Sequence, residues 1–166
     1  MRRKGACPMP LVMDTRPAAY AVVIRDGCLL LSRWVPHIPG MKPGWTLPGG
    51  GMNPGEQPSD TAVREVFEET GYIIELKQLL GVHAGYFEPE NGSTRPFCAL
   101  RTVYRAEVIG GELTYEVGGS SDLAAWVPLG ELDQHFCYSV VEEAAKMMGF
   151  ATLESMAAHY RATHQP

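Results

Sequence analysis

Three carboxylates crowd one short stretch of the sequence. Glu65, Glu68 and Glu69 all lie within "REVFEETGY", residues 64 to 72. On a helical wheel at about 100° per residue, with Glu65 at zero, Glu68 falls near 300° and Glu69 near 40°. The acids then share an arc of about 100°, while Ala62, Val63, Val66, Phe67 and Thr70 spread over roughly 60–200°. This predicts an apolar stripe against a core and an acidic patch facing largely away from it. Like charges at i and i+4, such as Glu65 and Glu69, cost an isolated helix roughly 0.2–0.5 kcal/mol. No lysine interleaves them, and Arg64 is the only nearby cation. One reading is a solvated acidic face. The other is a hard divalent cation, which prefers carboxylate, carbonyl and water oxygens and would turn repulsion into binding. The residues alone leave both open.

The segment before the acids, "GWTLPGGGMNPGEQP", is rich in glycine and proline and can bring backbone carbonyls close to them. It lacks the Lys-Ser/Thr of a phosphate-cradling P-loop. Pro54 also stands where the third glycine of a dinucleotide fingerprint would be. Tight turning is its plainer use.

Spacing adds more. Gly50, five residues, Glu56, seven residues, then Arg64-Glu65-Val66-Phe67-Glu68-Glu69-Thr70-Gly71-Tyr72 closely resembles the signature of the Nudix hydrolases, G-x5-E-x7-R-E-U-x-E-E-x-G-U, with U a bulky apolar residue. Every fixed position matches, and Tyr72 is aromatic where an aliphatic residue is usual. "WTLPGG" before the box and "AAWVPLGEL" after it also look like the family's flanking strands. The resemblance implies an α/β chain, an α/β/α sandwich around a mixed sheet, with the box as loop–helix–loop. It implies hydrolysis of the diphosphate linkage in a nucleoside diphosphate joined to another group. On the matching positions, Glu65, Glu68 and Glu69 would hold Mg²⁺ (or Mn²⁺), with a backbone carbonyl near Gly49 completing the set. Arg64 and Glu56 would pair and fix the helix to its loop.

The general base implied by the resemblance is Glu65 or an acid from a downstream loop: Glu88, Glu90, Glu116 or Asp122. Asp122, four residues before Trp126, is slightly favoured. Arg33 ends a strand where relatives often place a phosphate-contacting arginine, and an exposed strand-end charge is an equal reading. Trp34, Trp45 and Tyr86 could stack on a base, although packing is the commoner use of such rings. ADP-ribose, a nucleotide sugar and a (deoxy)nucleoside triphosphate all stay open as substrates, and the resemblance admits a homodimer. A non-catalytic nucleotide sensor is the alternative; such relatives usually lose box acids, and here all are intact.

The elements that must position these groups can be read locally. "AYAVVIRDGCLLLSRW" predicts a hairpin turning at Asp26-Gly27. Pro58 suits a first helical position and Gly71 a left-handed cap, which predicts a helix over residues 58–70. Strand-like pieces follow over 72–87, then a long strand over 97–109. Gly110-Gly111 is expected to turn that strand back into "ELTYEV". A final strand is expected over 124–132. Ser139 and Glu142 have capping-box spacing for a helix from about Val140. The Met- and Ala-rich tail reads as helical with a break at Gly149.

Bulk properties bound the rest. The 166 residues, 45% of them apolar, predict an arm over 1–16 and one domain over 17–166. A net charge of −5 and the lack of a basic stripe argue against a nucleic-acid polymer or a membrane surface as partner. A small-molecule nucleotide is the expected partner. The basic start "MRRKG" precedes no apolar run of leader type. Cys7, Cys28, Cys98 and Cys137 form no C-x-x-C pair, which fits a reduced cytoplasm.

Overall fold

The structure, a computed structural model, describes residues 12–37, 40–88, 95–115 and 118–163. Its first hairpin joins β1 (Asp14–Arg25) to β2 (Cys28–Trp34). Asp26 and Gly27 turn it with φ of 51° and 73°, the left-handed pair that matches strand twist. Then come β3 (Gly44–Thr46), β4 (Gly49–Gly51), α1 (Pro58–Thr70), β5 (Tyr72–Phe87), β6 (Phe97–Gly111) and β7 (Ser121–Pro128). A 3-10 turn over Leu129–Gln134 leads to α2 (Ser139–Met147) and α3 (Leu153–Thr163).

The strands form one mixed sheet in the order β3-β2-β1-β6-β5, with β4 beside β1 and β7 beside β2. Among the described strands only β1 and β6 run parallel, from Asp14 opposite Phe97 to Val23 opposite Ala106. Alternation along the strands divides the core in two. Ala21, Val23, Leu30, Ile74 and Ala106 pack with Val66 of α1 on one face. Val22, Leu29, Leu31 and Val103 pack with Val141, Ala144 and Met156 of α2 and α3 on the other. The result is the α/β/α sandwich.

Several expectations need correction. β1 begins at Asp14, inside the stretch read as an arm, because pairing with β6 satisfies the backbone of Asp14, Thr15 and Arg16 whatever their side chains. Gly110 and Gly111 end β6 opposite Ile73 and Tyr72, and residues 112–115 form no strand. Instead the Thr114 N–H donates to the Thr70 carbonyl at 2.9 Å, tying this segment to the end of α1. The last strand stops at Pro128, where the 3-10 turn starts. Ser139 opens α2 behind Tyr138 rather than capping it, and Glu142 accepts the N–H of Leu153 at 3.0 Å, serving the start of α3. Gly149, at φ 94°, does break the tail.

Candidate metal and catalytic site

α1 stands where its signals place it. Pro58 is its first residue, and Gly71 caps it at φ 72°, donating to the Phe67 carbonyl at 2.8 Å. Its buried residues are Thr61, Ala62, Val66, Glu69 and Thr70, whereas Phe67 is 54% exposed. The inward arc thus includes Glu69 and omits Phe67, so the acidic patch does not face away from the core as a unit. The reason is a set of donors waiting beneath it. Glu69 Oε2 accepts the Gly49 N–H and the Ser32 hydroxyl, both at 3.0 Å, and Oε1 accepts the Ser121 hydroxyl at 2.7 Å. One carboxylate is therefore bound to β2, β4 and β7 together. Burial pushes the Glu69 carboxyl up to about 7, the three donors restrain that rise, and the Glu65 charge adds to it.

Glu65 and Glu68 turn the other way. Both carboxylates meet Arg64 Nη1, at 2.8 Å for Glu65 Oε1 and 3.0 Å for Glu68 Oε2. Glu65 is also pressed against the glycine strand: a Cβ on Gly50 would lie 2.6–2.8 Å from its carboxyl atoms. The rest of the Arg64 guanidinium holds the loop. Nε and Nη2 donate to Glu56 at 2.6 and 2.9 Å, and Nη2 reaches the Gly51 carbonyl at 3.2 Å. Glu56 further accepts from the Asn53 N–H and the Thr61 hydroxyl, both at 2.8 Å. With Arg64 as the main cause, the Glu56 carboxyl sits far below the usual carboxylate range. The expected Arg64–Glu56 pair is thus in place between helix and loop.

The downstream candidates fare differently. Arg33 and Asp122 form a two-pronged pair with each other, at 2.8 and 2.7 Å. They meet because the β2–β7 register shifts between Arg33 and Trp34, leaving Asp122 without an opposite number in the ladder. Arg33 lowers the Asp122 carboxyl, which suits a fixed anion better than a base. Glu88 is exposed, and Glu90, Glu116 and Cys7 lie outside the described residues. Trp34 packs edge-on against Tyr138 at 4.9 Å and Trp45 against His135 at 6.5 Å, so both serve packing, while Tyr86 is 70% exposed. Cys28, Cys98 and Cys137 are free thiols.

Among the described residues no three carboxylate, imidazole or thiol groups converge as they stand on a point that would hold an ion. The residues nevertheless fit a hard divalent cation in charge and donor type. Glu65 and Glu68 already close on one cationic nitrogen, so the place between them suits a positive charge. Glu69 reaches the same region through the Gly49 backbone rather than by an open carboxylate. Ser32 and Ser121, which hold Glu69, were not foreseen from sequence. They sit 37 and 52 residues from it, and two serines in apolar strands carry no local mark of that role.

Against known proteins, the family model described as NUDIX domain matches residues 14–148. Diphosphoinositol polyphosphate phosphohydrolase 2 of Homo sapiens is 44% identical over 59 residues, 36% of this chain and 31% of that protein. Nucleoside diphosphate-linked moiety X motif 6 of Mus musculus is 51% identical over 45 residues, 27% of this chain and 14% of that protein. These matches span a third or less of either relative. Among solved structures, a NUDIX hydrolase from Nitrosomonas europaea superposes with a TM-score of 0.67 at 22% identity, covering 81% of this chain and 88% of its own. The NUDIX domain of Shewanella oneidensis NrtR, complexed with ADP ribose, superposes at 0.60 with 18% identity, covering 82% and 86%. These two share the fold.

Proposed function

The chain belongs to the NUDIX domain family, and on that premise we propose that it is a Mg²⁺- or Mn²⁺-dependent hydrolase cleaving a diphosphate linkage by attack of water on phosphorus. The observation that carries this reading is the convergence of Glu65 and Glu68 on a single cationic atom beside a bare glycine strand. Glu65 and Glu68, with the Gly49 carbonyl, are the groups that would hold the metal, and Glu69 would join them by exchanging one of its three donors for the ion. When bound, the metal supplies charge neutralisation of the diphosphate oxygens and of the charge that develops on them. Arg64 also holds Glu56, which keeps the helix registered on its loop. Glu65, half-buried and positioned by Gly50, is the best-placed acceptor for the proton of the attacking water. Asp122 has both oxygens committed to Arg33 and is not needed for that step. The nucleotide-type compounds named for the relatives and neighbours, nucleoside diphosphates and ADP ribose among them, set the first panel to try.

Phosphate-coupled turnover of that panel with Mg²⁺ tests the proposal. Glu68→Gln is expected to lower kcat by about a hundredfold or more while leaving the fold intact. EDTA should abolish turnover and Mg²⁺ restore it; turnover that survives chelation rules the mechanism out. A second reading, nucleotide binding without turnover, draws on the fact that Arg64 already neutralises Glu65 and Glu68. Tight binding of a panel member with no hydrolysis would favour it.

A further inference from the structure

The face of the sheet opposite α1 carries guanidiniums that the proposed reaction does not use: Arg16, Arg101 and, further along β6, Arg105. Arg16 of β1 is exposed, and its Nη2, Nε and Cζ lie 2.5, 2.6 and 2.9 Å from where a Cβ on Gly51 would stand. A side chain at position 51 would displace the guanidinium from this place. Arg101 of β6 touches His83 Nδ1 at 3.4 Å and Ser139 Oγ at 3.3 Å. The parallel register puts Arg101 opposite Ala18, two residues from Arg16, so both arginines share a face. Strand spacing and rise set their Cα atoms about 8 Å apart. Tyr20, next on that face, is raised chiefly by burial, with Arg101 and Arg16 acting against the rise and Glu69 adding to it.

The described arginines divide by whether a carboxylate holds them. Arg33, Arg64, Arg95 and Arg161 each have a carboxylate partner. Among the described residues Arg16, Arg101, Arg25 and Arg105 have none; Arg25 lies against the Tyr72 and Trp126 rings, and Arg105 follows Arg101 along β6. Glu143, the acid that acts on nearby His83, is itself paired with Lys146 at 2.7 Å. Two guanidiniums on one face with no carboxylate partner among the described residues suit phosphate oxygens, which match their planar fork.

β4 connects this cluster to the carboxylates. Side-chain directions alternate along it, so Gly50 meets Glu65 on one face and Gly51 meets Arg16 on the other. Among the described strands β4 pairs only with β1, and its far edge carries no side chain. A ligand can therefore cross that edge in contact with backbone.

We propose that Arg16 and Arg101 form an anion subsite for a second phosphorylated group of the substrate, so that the preferred substrate is a diphosphate on a moiety bearing further phosphate. This rests on the hydrolase reading above and narrows it. The test compares kcat/KM for a diphosphoinositol polyphosphate and for ADP-ribose in wild type, Arg16→Ala, Arg16→Lys and Arg101→Ala. Wild type should prefer the polyphosphorylated compound. Each alanine variant should lose about tenfold or more on it, mostly in KM, and less than about twofold on ADP-ribose. Arg16→Lys should fall between. Preference for ADP-ribose, equal losses on both compounds, or no loss would each overturn the subsite. A separate titration of inorganic tripolyphosphate into Glu68→Gln, with and without Arg16→Ala, reads the subsite without turnover. Weakening by about tenfold supports it even if wild type hydrolyses neither compound, an outcome that would remove the hydrolase reading alone. Unchanged binding removes the subsite.

Discussion

At Glu69 the helix offers a carboxylate to two hydroxyls and a backbone N–H instead of to water. Its proton stays on in the folded chain up to about 7, while the unfolded carboxyl releases it near the ordinary 4.5. Between these values the folded state binds the extra proton, so the stability of the metal-free protein falls as pH rises through that window. The gap corresponds to roughly 3 kcal/mol. Gln at this position keeps the acceptor and drops the titration. Urea unfolding in EDTA at about pH 5 and about pH 8 should show wild type losing up to that amount relative to Glu69→Gln; parallel losses would sink the assignment. This inward turn could not be read from a helical wheel. The wheel placed Glu69 beside the apolar arc, and what drew it in was a set of donors on three remote strands.

Among the elements, α1 was legible because its signals are local: Pro58, Gly71 and an apolar period within 13 residues. β4 was not. Three consecutive glycines have no strand preference, and the pairing comes from Ala18, Ala19 and Tyr20 of β1. That strand separates two glycine roles that substitution can distinguish. At Gly49, φ is 149° and a Cβ would collide with the Ala19 carbonyl oxygen and with Tyr20. Gly49→Ala is therefore expected to destabilise the fold by more than about 1 kcal/mol. At Gly50 the three atoms nearest a Cβ all belong to the Glu65 carboxyl. Gly50→Ala should leave the melting temperature nearly unchanged and cut kcat by about tenfold or more through displacement of Glu65. Matching effects of the two substitutions on both stability and kcat would contradict this division.

For the molecule as a whole, the sandwich was foreseeable from the order of elements and the family signature, whereas the pairings between distant segments were not. Arg33 was weighed as a phosphate contact and Asp122 as a general base, yet they lie 89 residues apart and satisfy each other across a register shift that only the folded sheet reveals. The two cores divide the labour. Leu31 is fully buried on the face away from α1, among Val22, Leu129 and Met156. Leu31→Ala should cost roughly 2–5 kcal/mol in chemical unfolding while the folded fraction keeps a near-normal kcat. A large loss of kcat at full folding would show that the far core also sets the geometry of the acids. No helix among the described residues is long and apolar enough to cross a membrane.

The grip of one side chain on three strands also limits how this chain can change. Trimming Glu69 to alanine would strand two hydroxyls and an amide in a dry place, and no single compensating substitution reaches all three. Any drift at this position would therefore have to involve the sheet and the helix at once.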